Sequence, residues 1–149
     1  MKKMLAATAI LASITALSGC SAHNPFIVTD TTQSTPLTQN RYPAYQGRVF
    51  ITEDDLPANI DFEPISTIDV GKIWYGSSQD VYVSMATRAR ELGANVVIKA
   101  KRWRQPSGFS WAAPHGSGQA GRVKDIKAFE ALGVKGGWYL SGANAGVRT

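Results

Sequence analysis

Cysteine and histidine are scarce in this sequence: its 149 residues include one cysteine, Cys20, and two histidines, His23 and His115. One cysteine cannot form a disulfide within the chain, and two distant histidines give no zinc or copper ligand spacing. A nucleophilic triad is also unsupported, because no G-x-S-x-G elbow is present and we expect His115 to lie in a surface loop. We therefore predict a protein without metal, cofactor or catalytic activity.

Hydrophobic runs long enough to cross a bilayer as a helix are also missing. The longest apolar run, Leu5–Leu17, is too short to span but has the length of a signal-peptide core, and it follows Lys2 and Lys3. We predict that residues 1–19 are a signal peptide. The chain length suits one domain and excludes a (β/α)₈ barrel, a two-half dinucleotide enzyme and a polytopic membrane protein.

The apolar run ends in Leu17-Ser18-Gly19-Cys20, which resembles the lipobox of bacterial lipoproteins. The resemblance implies a diacylglycerol on the Cys20 sulfur and membrane attachment through that lipid. Ser21, where inner-membrane lipoproteins carry Asp, implies the outer membrane, with the domain facing the periplasm. Without residues 1–19 the formal net charge falls from +5 to +3, which, in an envelope compartment, does not indicate a nucleic-acid partner.

Two flanking segments have compositions that disfavour folding. Residues 20–46 hold the lipidated Cys20 and are rich in Thr, Gln, Asn, Ser and Pro, so we predict a disordered tether that lets the domain move roughly 30 Å from the bilayer. Residues 133–149 are rich in glycine and hold no acidic side chain, which predicts a flexible tail. The folded domain is expected at residues 47–132.

One helix is well defined by the pattern. Ser77 and Asp80 form a capping-box pair, and Gly93 is placed to end the helix in a left-handed conformation. The helix interior repeats apolar residues at spacings of four, four and three, which gives a single apolar stripe; these residues are Val81, Met85, Ala89 and Leu92.

Strands are indicated at residues 49–52, 65–70 and 95–103, and residues 105–121 are expected to form a loop. For residues 122–132 the pattern leaves strand and helix open. The predicted fold is therefore α+β: a small sheet of three to four strands with one packed helix, in the order β-β-α-β-(β). A core of this size makes the domain marginally stable.

Basic and aromatic side chains concentrate in the third predicted strand. Alternation places Val96, Ile98 and Ala100 on one face, and Lys99, Lys101 and Trp103 together on the other. An anionic partner, such as a lipid head group, could contact this strand; the candidate contacts are Lys99, Lys101, Arg102, Trp103 and Arg104. The alternative is a solvated sheet face with a lysine-protected edge.

Acidic residues concentrate before the helix, and a glycosidase would need two of them in one cleft. The residues in question are Asp54, Asp55, Asp61 and Glu63. A solvated acidic turn is the alternative. The sequence 116–121 also matches G-x-G-x-x-G, but Pro114 and His115 precede it and no acidic residue follows Glu130, so we interpret it as loop rather than dinucleotide site.

The segment 86–98, A-T-R-A-R-E-L-G-A-N-V-V-I, resembles the helix-to-strand signature A-x-x-x-G-A-N-A-V of small bacterial α/β domains. These include the YbjQ-like proteins and the RcsF-like outer-membrane lipoproteins. Residues 64–71, P-I-S-T-I-D-V-G, resemble the strand that precedes it. The resemblance implies one helix on a small sheet and a non-enzymatic role in sensing or protein contact. The chain departs from the RcsF-like type in having no cysteine pairs.

These observations predict a lipid-anchored envelope lipoprotein that acts as a non-catalytic binding or sensory module for an unidentified envelope protein. Two alternatives remain: an envelope hydrolase of cell-wall polymer that uses the acidic residues, and a binder of anionic lipid or lipopolysaccharide through the basic strand.

Overall fold

One mixed sheet of six strands organises residues 26–140, the part of the chain that this computed structural model describes. In chain order the elements are β1 (Thr31–Pro36), β2 (Val49–Ile51), β3 (Phe62–Gly71), α1 (Ser78–Glu91), β4 (Val96–Ser107), β5 (Ser110–Val123), α2 (Ile126–Ala131) and β6 (Gly137–Tyr139). No helix within residues 26–140 has the length and apolar character needed to cross a membrane. The predicted signal peptide, residues 1–19, and Cys20 lie outside the described residues.

The strands lie in the order β1-β3-β5-β4-β2-β6. The β2–β4 pair is parallel, and every other neighbouring pair is antiparallel. The predicted sheet of three to four strands with one helix was wrong: the sheet has six strands and a second, short helix. The extra strands come from segments whose composition does not suggest strands, so the pairing depends on the tertiary structure rather than on local preference.

Two of the extra strands lie in the segments assigned to the tether and the tail. β1 pairs antiparallel with β3 from Thr31↔Gly71 to Pro36↔Ser66, and Arg88 of α1 donates a 2.8 Å hydrogen bond to the Ser34 hydroxyl. β6 pairs with β2. Both are edge strands, where backbone hydrogen bonds to one neighbour suffice and polar or short sequences are tolerated. Residues 31–36 are therefore part of the folded sheet and not of the predicted tether, and residues 137–139 are part of the sheet and not of the predicted tail.

The segment 105–121, which we interpreted as a loop, is mostly strand. Most of it forms β5, which lies in the sheet between β3 and β4. Gly116 suits this central position because α1 packs directly on it. A Cβ on Gly116 would lie 2.6 Å from Val81 Cγ1 and 2.8 Å from Met85 Cε, so only glycine leaves space for the helix.

The main helix agrees with its prediction. The Gln79 N–H donates to Ser77 Oγ at 3.0 Å, and the Ser77 N–H donates to Asp80 Oδ2 at 3.2 Å, which confirms the capping box. Gly93 ends the helix with φ +80°. The predicted stripe lies against the sheet, since Val81, Met85 and Ala89 are fully buried.

Each face of the sheet has its own apolar core. The first lies beneath α1 and contains Ile51, Ile68, Val97 and Ala100. The second lies beneath α2 and contains Phe50, Val96, Ile98 and Phe129. Residues 122–132, which the pattern left open, end β5 and then form α2, whose N-cap is Asp125.

Candidate ligand-binding groove

A groove of about 410 Å³ lies beside α1, where the end of β2, the middle of β4 and β6 meet. Its lining combines one aliphatic side chain and two glycines with several charged and aromatic side chains. The lining residues are Ile51, Glu53, Asp54, Gln79, Tyr82, Arg102, Lys135, Gly136, Gly137 and Tyr139. Because these residues come from well-separated parts of the chain, the groove depends on the complete fold.

The carboxylate of Glu53 connects two other groups of the groove. The Tyr82 hydroxyl donates a 2.7 Å hydrogen bond to Glu53 Oε1, and Arg102 Nη2 lies 3.3 Å from the same oxygen. The Arg102 guanidinium also lies over the Tyr82 ring, 5.1 Å from its centroid. A cation over an aromatic face, tied to a shared carboxylate, fixes the orientation of all three side chains.

Two tyrosines form the wall of the groove. The rings of Tyr82 and Tyr139 pack edge to face with centroids 5.6 Å apart, and the Tyr139 hydroxyl donates to Gln79 Oε1 at 3.1 Å. Burial, and then the hydrogen bond to Glu53, raises the pKa of Tyr82; burial raises the pKa of Tyr139. Both phenols therefore stay protonated at neutral pH and act as hydrogen-bond donors.

The parallel pairing of β2 with β4 explains why acidic and basic residues meet here. The pairing Ile51↔Val97 continues past the strand end, where the Ala100 N–H donates to the Thr52 carbonyl and the Lys99 N–H to the Asp54 carbonyl. The acidic turn after β2 therefore lies along the basic stretch of β4. Lys99 Nζ is 3.0 Å from Asp55 Oδ2, one of two ion pairs along this edge; the other joins Arg102 to Glu53.

The five predicted contact residues do not form one surface. A bulge interrupts β4 between Ile98 and Lys101, and Lys99 adopts φ +52°. The extra residue reverses the alternation, so Ala100 packs with Val97 instead of with Ile98. The prediction that Ala100 shares a face with Val96 and Ile98 was therefore wrong.

After the bulge the basic strand divides between the two faces. Arg102 lies on the α1 side, in the groove, and Arg104 donates to the carbonyl of Gly76, just before α1, at 2.9 Å. Trp103 stacks with His115, with ring centroids 6.1 Å apart, on the other face, and Lys101 is exposed. Only Arg102 of the five lines the groove.

His115 is not the surface-loop residue that we expected. It lies in β5, opposite Trp103, and is fully buried. The prediction failed because it depended on the loop assignment for residues 105–121. A histidine in a central strand, stacked under an indole ring, is part of the core packing.

The four carboxylates of the hydrolase alternative lie apart. Asp54 lines the groove, and Asp55 is paired with Lys99. Asp61 lies 2.8 Å from Lys124 Nζ on an exposed surface, and Glu63 accepts a hydrogen bond from Tyr42, which lowers the pKa of the Glu63 carboxyl. Within residues 26–140 no group of three or more His, Cys, Asp or Glu side chains is arranged to hold a metal ion.

Sequence reasoning missed most of the groove. Glu53 was visible only as a member of the acidic turn. Tyr82 follows Val81 on the buried side of α1, and Tyr139 lies in the segment assigned to the tail.

Comparisons of this chain with known protein families, curated proteins and solved structures find no match.

Proposed function

We propose that this chain is a lipid-anchored lipoprotein of the cell envelope whose domain is a non-catalytic binding or sensory module. The groove is its binding site, and the observation that carries the proposal is the Glu53–Tyr82–Arg102 cluster. The cluster holds an arginine and one phenol, Tyr82, around a shared carboxylate, and a second phenol, Tyr139, packs beside it. Fixed polar groups in a groove with aromatic walls are typical of ligand recognition.

The charges of the groove support binding rather than hydrolysis. A carboxyl that acts as general acid in glycoside hydrolysis has apolar surroundings. Glu53 instead lies beside the Arg102 guanidinium and accepts a hydrogen bond from Tyr82. Its neighbour Asp54 is the one carboxylate of the hydrolase alternative that lines the same groove.

The ligand we propose is an extended polypeptide segment of an envelope protein. The groove adjoins β6, which pairs with β2 on one side and, among the described strands, has no neighbour on the other. Gly136 and Gly137 expose backbone beside it. An open strand edge binds extended peptides through main-chain hydrogen bonds, while neighbouring side chains select the sequence. Arg102 and Lys135 supply hydrogen-bond donors, and Glu53 and Asp54 supply acceptors, so the groove offers partners for both the carbonyls and the amides of such a segment.

The proposed lipid anchor depends on the sequence pattern of residues 1–20. After processing, Cys20 would carry lipid in the outer membrane, with the domain facing the periplasm. Several acyl chains hold a protein far more firmly than one. We expect mass spectrometry of protein isolated from membranes to show acylated Cys20 as the first residue, and Cys20→Ala to release the protein or leave it unprocessed. An uncleaved leader or a bare Cys20 thiol in the native protein would contradict the anchor.

Site-specific crosslinking tests the groove. A photoreactive residue at Gln79, in the full chain in intact cells, should capture one dominant envelope protein. The matched control at Lys127, exposed on α2 across the sheet, should not. Arg102→Gln should reduce capture from position 79 several-fold, whereas Lys127→Gln leaves it unchanged. Equal capture from both positions would refute the groove as the site. Turnover of cell-wall fragments by the purified protein would support the hydrolase instead.

A further inference from the structure

Four large aromatic side chains are exposed together at the end of the sheet where β4 turns into β5. We name them the aromatic tip: Trp74, Tyr75, Phe109 and Trp111, with exposed fractions of 60%, 60%, 63% and 82%. Trp74 and Tyr75 belong to the loop between β3 and α1, and Phe109 to the two-residue turn between β4 and β5. Exposed clusters of this kind mark an interaction surface.

The aromatic tip is an ordered structure. The rings of Trp74 and Phe109 stack with centroids 5.3 Å apart, and the Phe109 N–H donates to the Ile73 carbonyl at 3.2 Å. The Trp111 N–H points to the Tyr75 hydroxyl at 3.4 Å. The two loops thus fix one another, so binding through these rings requires little ordering of the backbone.

The first described residues of the chain lie at the same end. The Ile73 N–H donates to Asp30 Oδ1 at 3.0 Å, and Lys72 Nζ is 3.1 Å from Asp30 Oδ2. A Cβ on Gly108, in the turn of the tip, would come within 2.9 Å of the Ile27 carbonyl oxygen. Beside them Phe26 and Val28 are exposed apolar side chains.

This arrangement limits the distance between the aromatic tip and the proposed anchor. Residues 21–25 are all that separates Cys20 from Phe26. A fully extended chain spans about 3.3–3.6 Å per residue, so Cys20 cannot be more than roughly 20 Å from Phe26. A lipid on Cys20 therefore holds this end of the domain near the bilayer surface, instead of allowing the free movement expected of a tether over residues 20–46.

We infer that the aromatic tip inserts into the head-group region of the phospholipid bilayer that holds the Cys20 lipid. Tryptophan and tyrosine are enriched at this depth because one part of the ring system is apolar and another part forms hydrogen bonds. Arg104 adds a cation at the same end, since its guanidinium donates to the carbonyls of Gly76 and Ala112. The inference rests on the proposed lipid anchor and adds a fixed orientation of the domain on the membrane.

Tryptophan fluorescence can test the insertion. The chain has four tryptophans, of which Trp74 and Trp111 lie in the aromatic tip and the others, Trp103 and Trp138, are partly buried. The full lipidated chain is reconstituted into vesicles of phosphatidylethanolamine and phosphatidylglycerol, with or without bromine on the upper part of the acyl chains. With two of four tryptophans inserted, we expect brominated lipid to quench about half of the emission.

Two double variants identify which tryptophans are quenched. W103F/W138F keeps the aromatic tip and should lose a larger share of its emission than the wild type. W74F/W111F should show no quenching although it still floats with the vesicles. Circular dichroism of each variant verifies that the fold is retained.

The test separates the two proposals. Flotation without quenching of Trp74 and Trp111 would leave the anchor standing and overturn the insertion. This is the result expected if the aromatic tip binds a protein instead of the bilayer. Protein that does not float with the vesicles would overturn both the anchor and the insertion that depends on it.

Discussion

Asn95 and Val123 are joined by two reciprocal hydrogen bonds between a side chain and the backbone. Asn95 Nδ2 donates to the Val123 carbonyl at 2.8 Å, and the Val123 N–H donates to Asn95 Oδ1 at 2.9 Å. The side chain thus replaces a strand neighbour at the end of β5. Asn95 belongs to the Gly-Ala-Asn segment that links α1 to β4, and its amide gives that segment a structural role.

Removing the Asn95 amide should therefore be costly. Asn95→Ala leaves the buried N–H and C=O groups of Val123 without their partner, and each unsatisfied group costs about 1–3 kcal/mol. We expect a loss of about 2–4 kcal/mol in the free energy of unfolding, measured by urea denaturation. The exposed Asn59→Ala should change it by less than about 0.5 kcal/mol. Equal effects of the two substitutions would show that the paired hydrogen bonds contribute nothing.

Gly116→Ala tests the close packing of α1 on β5. The added Cβ would lie 2.6 Å from both the Lys101 carbonyl oxygen and Val81 Cγ1. Because one of these atoms belongs to the backbone, the strand or the helix must move, and overpacking of this kind costs about 1–3 kcal/mol. Ser117→Ala, at the neighbouring position of β5, should be nearly neutral. A Gly116→Ala variant as stable as the wild type in thermal denaturation would refute the tight contact.

The bulge in β4 predicts an unusual substitution pattern at Lys99. Its φ of +52° is unfavourable for β-branched residues and acceptable for asparagine. Lys99→Ile should lower the free energy of unfolding by about 1–3 kcal/mol. Lys99→Asn should be close to neutral, because the ion pair with Asp55 is exposed and such pairs contribute at most about 1 kcal/mol. If isoleucine were tolerated as well as asparagine, the left-handed conformation would be wrong.

The raised pKa of Tyr82 predicts a loss of stability in alkali. In the unfolded chain a phenol ionises near its ordinary pKa of about 10, whereas in the fold burial and the bond to Glu53 keep Tyr82 protonated. Its contribution is therefore fully present below about pH 10 and is lost as the pH rises toward the raised pKa. Tyr82→Phe should flatten the decline of the unfolding free energy between about pH 9 and pH 12.

Absorbance at 295 nm provides a second measurement of the same phenol. The wild type should show a late tyrosinate phase that Tyr82→Phe diminishes. If the variant and the wild type had the same absorbance titration and the same decline in stability, the buried environment of Tyr82 would be contradicted.

The sequence predicted α1 correctly because the signals that define it are local. Ser77 and Asp80 cap it, and Gly93 ends it within one turn of the last apolar residue. The apolar stripe needs only the helical period. Each of these features lies within a few residues of the structure it determines, so no knowledge of distant contacts was needed.

The central strand β5 could not be predicted because its stability depends on its neighbours. Gly116, Gly118 and Gly121 are poor strand formers, but β3 and β4 supply hydrogen bonds on both sides. Glycine is favoured there by contacts with α1 and the adjacent strands, which appear only in the folded chain. The same composition without those contacts is typical of a loop.

The groove was hidden for a similar reason. Arg102 was identified by its charge, but its face was set by the φ of Lys99, which periodicity does not reveal. Tyr139 reaches the site because β6 pairs with β2, nearly ninety positions earlier in the chain. Local pattern therefore identified the composition of the site but not its geometry.

The pairing of β1 with β3 has a practical consequence for producing this protein. A fragment that begins at residue 47, where composition suggests the domain starts, would lack β1. Residues Ser66–Gly71 of β3 would then have unpaired amides and carbonyls along an edge that includes the buried Ile68 and Val70. An exposed edge of this kind recruits strands from other molecules. We expect such a fragment to precipitate on concentration, and one that begins at residue 26 to stay monomeric in size-exclusion chromatography.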